Sequence, residues 1–231
     1  MSTQAPANLE ELVEQLPPGS TLTLHDVTWE EYEELLEAVG EAPSLRISYD
    51  EGTLKVMTTS ARHESYVRLI ERLVDRLSAT LRIKILFFGS ATMKKKRKKK
   101  GNEPDACFYI QSADLIGSKI DIDFDTDPPP DVVVEIDVHH DSTSNFPIYA
   151  ALGVPEIWHY DQRALTIYLL QRGQYLMAQA SLALPMLTSN ALTEFLNQSQ
   201  QEDQYEVLLA FERWLRSLKK TGGRSLSPKR K

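Results

Sequence analysis

The chain has 231 residues, of which 42% are hydrophobic and 26% charged, and its 26 Lys and Arg against 33 Asp and Glu give a formal net charge of -7. That length suits one sizeable core in one main domain; the longest apolar runs are too short to span a bilayer, and a lone cysteine, Cys107, excludes an internal disulfide or a cysteine-built zinc site. The opening stretch MSTQAPANLEELVEQ has neither a basic start nor an apolar segment, so no secretory signal is expected and a cytoplasmic location is the default.

The charge is segregated. Lys94, Lys95, Lys96, Arg97, Lys98, Lys99 and Lys100 form one basic run, and Arg213 to Lys231 carry eight more basic residues with no acid among them. The body between is acidic. Such a pattern fits either an electrostatic footprint for a polyanion or a solvated loop and tail.

In chain order, Thr28 and Glu31 predict a capping box ahead of the stripe Trp29, Tyr32, Leu35, Leu36 and Val39, with Gly40 closing a helix over 28–39. RISYDEGTLKVMT predicts a hairpin turning at Asp50, Glu51 and Gly52. A second helix follows Ser60, with Tyr66, Leu69, Ile70, Leu73, Val74 and Leu77 on one face. IKILFFGSATM predicts a strand, the basic run follows it, and EPDACFYI predicts another strand. DIDFDTDPPP reads as an exposed edge or loop leading into the strand of PPPDVVVEIDV. NFPIYAALG predicts a short helix closed by Gly153, PEIWHYD a strand, and LTIYLLQRGQYLMAQ a hairpin around Arg172 and Gly173. TEFLNQSQ and the amphipathic YEVLLAFERWLRSL predict terminal helices, with a flexible end beyond Lys219. The order is mixed α/β (α+β) with an antiparallel portion. The expected divisions are a helical extension over 1–40, a core domain over 41–200, and a helix and basic tail over 201–231.

The chemistry is concentrated in two of the strands. In DVVVEIDV, alternation puts Val132, Val134, Ile136 and Val138 on one face and Asp131, Val133, Glu135 and Asp137 on the other. In EPDACFYI, Asp105, Cys107 and Tyr109 share a face. If the two strands are neighbours, Asp105 and Glu135 converge, and two such carboxylates repel unless a proton or a hard divalent ion lies between them. Asp137, about 6.6 Å along the strand from Glu135, can add to the site, while Asp131 marks the strand entrance. His139, His140 and Asp141 follow directly, but adjacent strand residues face opposite ways and the two histidines make poor joint ligands. Tyr149, Trp158 and Tyr160 read as packing aromatics.

From Trp29 to Asp161 the chain resembles the putative restriction endonuclease family of the Uma-two type, in the PD-(D/E)XK nuclease superfamily. The resemblance is carried by WEEYEELLEAVGE, YDEGTLKVMT, HESYVRLIERL, FGSATMKK, KGNEPDACFYI, DPPPDVVVEID and FPIYAALGVPEIWHYD. It implies a restriction-endonuclease-like core, a mixed β-sheet flanked by helices, in which Asp105 and Glu135 bind Mg²⁺ or Mn²⁺ and phosphodiester bonds of DNA are hydrolysed. The superfamily's lysine two residues after the Glu is here Asp137, and the lysine that relatives carry on the following helix is here Asn145. Asn145 can orient water without supplying positive charge; Lys94 or Lys95, near the end of the preceding strand, is the lysine that could reach the site.

His63 and Glu64 match a family block at the start of the second helix. His63 lies near that helix's apolar face, as a core-edge histidine or a site residue, and Glu64, about 100° round, joins the site only if the first turn is irregular. Three readings follow: a metal-dependent endonuclease whose basic run holds nucleic acid without reading its sequence; a catalytically degenerate relative that binds nucleic acid or protein; and a homo-oligomer joined through the helix from Tyr205 to Leu218.

Overall fold

The computed structural model describes residues 12, 13, 15–40 and 44–221. The flexible end expected beyond Lys219 falls, after Thr221, outside the described residues, as do residues 1–11 of the expected helical extension. The fold is mixed α+β, built from two sheets and, among the described residues, six α-helices. No described helix is long and apolar enough to cross a membrane.

The first sheet has the order β1-β3-β2-β6-β5: β1 Thr21–Leu24, β2 Leu45–Asp50, β3 Thr53–Thr58, β5 Met93–Lys95 and β6 Lys100–Asn102. The β2–β3 turn forms because Glu51 and Gly52 take positive φ of 47° and 103°, the pair of left-handed residues that a tight hairpin demands. Helix α1, Trp29–Val39, has the expected capping box from Thr28 and Glu31 and ends at Gly40. Its Trp29, Tyr32 and Leu35 pack on Ile47, Tyr49, Leu54 and Val56, so one face of this sheet is apolar and covered. The segment before residue 41 therefore supplies both a strand and the cover of this sheet.

The second sheet has the order β11-β10-β9-β8-β7-β4, from β4 Leu86–Phe87, β7 Ala106–Tyr109, β8 Val132–Ile136, β9 Glu156–Tyr160, β10 Leu165–Gln171 and β11 Gln174–Ala178. Only β8 and β9 pair in parallel, and their crossover carries α4, Phe146–Leu152; such a connection needs the extra length that a hairpin does not. A short α3, Ala113–Ile116, follows β7. Helix α2, Ala61–Leu81, capped by Ser60, packs with α5, Ser189–Gln198, and α6, Gln204–Thr221, on the face carrying Phe108, Val132, Val134 and Ile136. Leu208, Phe211 and Leu215 are buried there, so the apolar stripe of α6 is covered within the chain.

The segment IKILFFGSATM, expected as one strand, is divided between the sheets. Phe88 to Thr92 turn between β4 and β5, with Gly89 at φ 54°, because each half pairs with a different partner. The basic run then forms a hairpin around a 3-10 turn at Lys96–Lys98 rather than a loop. Gly101 on its return strand lies against the buried Tyr32, and a Cβ there would come within 2.2 Å of the Tyr32 hydroxyl. Gly101→Ala is expected to cost about 1–3 kcal/mol by overpacking, read as a lowered urea midpoint at unchanged slope.

Candidate active site

The sheets meet through polar faces. Ser48 on β2 pairs with Lys55 on β3 and with Asn102 on β6, so these three form a row across one face, with Arg46 and its partner Met57 on the same face two residues along. This is the face that α1 does not cover. Opposite it, the N–H of Asp105 donates to the Val134 carbonyl at 3.0 Å. Continuing the Ala106 to Val134 register by one position sets Asp105 beside Glu135. A cavity of about 20 Å³ lies between the walls, lined by Arg46, Lys55, Asn102, Glu135, Asp137 and Asn145 among others. That is room for about one water molecule.

Asp105 is buried and held on several sides. Its Oδ1 accepts from Arg46 Nε at 3.0 Å and its Oδ2 from the Ile136 N–H at 2.8 Å. His63 Nε2 lies 2.9 Å from Oδ2, off the hydrogen-bond direction, since neither buried ring nitrogen of His63 has a hydrogen-bond partner. Glu64 joins through Arg46, whose Nη2 it meets at 3.3 Å. The first turn of α2 is regular, and Arg46, bonded to both Asp105 and Glu64, is what links the Glu64 carboxylate to Asp105.

Glu135 is 3% exposed. Its Oε1 accepts from the Tyr149 hydroxyl and, at 3.4 Å, from Asn102 Nδ2. Burial, and then the charges of Asp105 and Asp137, push its carboxyl well above the usual carboxylate range, despite the Tyr149 bond and Arg46. Burial and Glu135 likewise push the Tyr149 hydroxyl up. A buried carboxylate facing the charge of a second one, as Glu135 faces Asp105, suits a hard divalent cation with its preference for oxygen ligands, which would relieve that repulsion. The residues therefore fit Mg²⁺ or Mn²⁺.

Asp137 points along the same cavity, but Ser142 N–H donates to both its oxygens at 3.1 and 3.2 Å, and His159 Nε2 is 2.5 Å from Oδ2. Asp137, Asp141 and His159 place one ligand atom each within 4.8 Å of one another. Burial disfavours the His159 imidazolium, yet Asp137, Asp141 and Asp161 outweigh it and hold its pKa above the ordinary value, as expected of an internal ion pair. His139 does not join that cluster, and His140 bonds the Gly19 carbonyl at 2.6 Å.

Glu135, Asp137 and Asn145 thus share one cavity, and Asp105, His63 and Glu64 adjoin it through Arg46. The basic run does not line it. Lys94 meets Glu33 at 3.0 Å, Lys96 meets Glu30 at 3.2 Å, Lys98 reaches the Ala151 carbonyl, and Lys100 bonds Asp50, while Lys95, Arg97 and Lys99 make no ion pair among the described residues. Exposed pairs of this kind are worth about 0.2–1 kcal/mol, so a phosphate can displace the carboxylates. The cations that line the cavity are Arg46 and Lys55. Sequence reasoning missed both, along with Asn102 and the polar role of Tyr149; the available signal was Arg46 and Lys55 standing on the polar alternation of their hairpin. A larger hollow of about 410 Å³ near Val39 and Phe88 has one acid, Glu103, whose oxygens are taken by Ile47 N–H and the Thr92 hydroxyl.

Two sheets with buried carboxylates between them make this a mixed α+β protein. The family described as Uma2, Putative restriction endonuclease, matches residues 29–200, and the chain belongs to that family. Among solved structures, the chain is similar to the crystal structure of a putative nuclease belonging to DUF820 from Anabaena variabilis ATCC 29413, with 17% identity, coverage of 74% of this chain and 99% of that chain, and a TM-score of 0.49. No curated protein matches the chain.

Proposed function

We propose that the protein is a metal-dependent endonuclease that hydrolyses phosphodiester bonds of DNA in the cytoplasm. The observation that carries this reading is the buried Glu135, which lines a cavity whose other wall carries Arg46 and Lys55, with the buried Asp105 beside it on the adjacent strand and the Asp105 charge acting on it. Asp105 and Glu135 would hold Mg²⁺ or Mn²⁺, which when bound supplies a Lewis acid and lowers the pKa of a water nucleophile. Arg46 and the Ile136 N–H fix Asp105. Tyr149 and Asn102 orient Glu135. Asn145, at the cavity wall, can accept from and so aim a water molecule, and the basic hairpin holds the DNA backbone away from the reacting phosphate.

The test is cleavage of labelled single- and double-stranded DNA with Mg²⁺ or Mn²⁺, in wild type and Asp105→Ala, with an EDTA control. Metal-dependent cleavage lost in the variant is the expected result; no cleavage by wild type with either ion would overturn it. A second reading, a nucleic-acid or protein binding module on the same fold, is favoured by the absence of a lysine at positions 137 and 145, held by Asp137 and Asn145, where the resemblance to the family leads one to expect it.

A further inference from the structure

Lys55 stands apart from the other lysines near the site. It reaches the Asp141 carbonyl and the Ser144 hydroxyl, each at 3.4 Å, contacts that are long for an ammonium. Among the described residues it makes no ion pair, although Arg46 beside it is paired with Asp105 and Glu64. It lines the same cavity as Glu135, Asp137 and Asn145. In register it is two strands from Asn102, about 10 Å between backbones, and Asn102 bonds Glu135. The extended lysine stem therefore carries charge from the first sheet toward the carboxylates of the second.

A second observation points to a ligand at the same place. Ser142 lines the cavity at 9% exposure, and its Oγ has no hydrogen-bond partner. A buried hydroxyl without a partner costs roughly 1–3 kcal/mol, so this one is ready for an acceptor to fill. An ammonium with only long contacts and no ion pair among the described residues, and a hydroxyl with no hydrogen-bond partner, on one small cavity, are the complement of a phosphate oxygen.

We infer that Lys55, with Ser142, forms the phosphate-binding group of the cleft, and that Lys55 brings from β3 the positive charge that positions 137 and 145 lack. The inference rests on the nuclease reading for its role in catalysis. Phosphate binding is measured apart from cleavage.

The parent for binding is Glu135→Gln in EDTA, where neither metal nor hydrolysis intervenes, and the probe is a fluorescein-labelled DNA duplex titrated at several salt concentrations. Each phosphate contact steepens the plot of log affinity against log salt by about 0.9. Adding Lys55→Met is expected to make the slope shallower by about one contact, whereas Lys55→Arg keeps it. In the otherwise wild-type chain with Mg²⁺, Lys55→Met is expected to lower cleavage about 100-fold, and adding Asn145→Lys to that variant is expected to restore part of it, a rescue that a merely structural lysine would not allow. An unchanged salt slope in Lys55→Met overturns the inference whatever the cleavage result. A shallower slope in a protein whose wild type never cleaves leaves Lys55 as a phosphate contact and removes the nuclease reading. A parent that binds no duplex overturns both.

Discussion

Glu135→Gln is expected to abolish metal-dependent cleavage, with a loss of 1,000-fold or more, while leaving the fold intact. The amide keeps the carbonyl oxygen that accepts from Tyr149 and Asn102 and removes the charge that a divalent ion needs. Stability provides an independent readout. In the fold, burial and Asp105 hold the Glu135 carboxyl above its ordinary 4.5; a group raised in this way favours the folded state below the unfolded value, and that favour is lost as pH rises through the elevated one. Metal-free wild type should therefore fall progressively below Glu135→Gln in melting temperature as pH is raised from 4.5 toward 8, and the two should converge at acid pH. At pH 8, Mg²⁺ at 100 times its Kd adds about 2.7 kcal/mol to wild type, roughly 5–10 °C for a chain of this size. The variant gains nothing. A metal-induced rise of equal size in both proteins, by calorimetry, would show that Glu135 is not a ligand.

The second large effect concerns an acid that is buried for structure. Glu156 on β9 is fully buried, and its carboxylate accepts from Trp158 Nε1 at 2.5 Å and from the Leu182 and Ala183 N–H groups at 2.9 and 3.0 Å. These bonds tie the loop before α5 to the end of the parallel pair. Glu156→Ala strands three donors, of which the Trp158 Nε1–H and Ala183 N–H are buried and cost about 1–3 kcal/mol each when left unpaired, so a loss of about 2 kcal/mol or more in urea denaturation is expected, with the per-molecule DNA affinity of the folded fraction unchanged. A loss below 1 kcal/mol would mean that water replaces the carboxylate. Asp131 belongs to the same class, its oxygens taken by the Ile110 and Ser112 N–H groups and the Ser112 hydroxyl. What separates scaffold from site here is the facing charge: Glu156 meets neutral donors, whereas Glu135 faces another carboxylate, Asp105.

Much of this was legible from local pattern. The capping box at Thr28, the turns at Glu51 and Arg172, and the alternation of Val132 to Asp137 each encode their element within a few residues, and the placement of Asp105 and Glu135 on neighbouring strands followed from that alternation once the strands paired. What stayed hidden depends on distance along the chain. Nothing near Leu86 to Met93 tells that its two halves serve different sheets. Arg46 and Lys55 read as ordinary outward residues of a hairpin until the second sheet supplies the carboxylates they face. Tyr149 read as packing because an aromatic ring on a helix face usually is; its ring does pack, and its hydroxyl does the polar work. The paired state of Lys94, Lys96 and Lys100 likewise depends on acids from α1 and the β2–β3 turn.

Arg46 and Asp105 are separated by 59 residues, and Ile136 and Asp105 by 31. The two walls of the cleft belong to different sheets, so neither sheet alone owns a competent centre. Such contacts are slow to form, because chain closure must precede their reward. On the proposed nuclease reading, metal-dependent cleavage would therefore be a measure of tertiary completion: a nascent or partly opened chain has its carboxylates without their basic counterpart, and hydrolytic capacity would arrive only with the final docking of one sheet on the other.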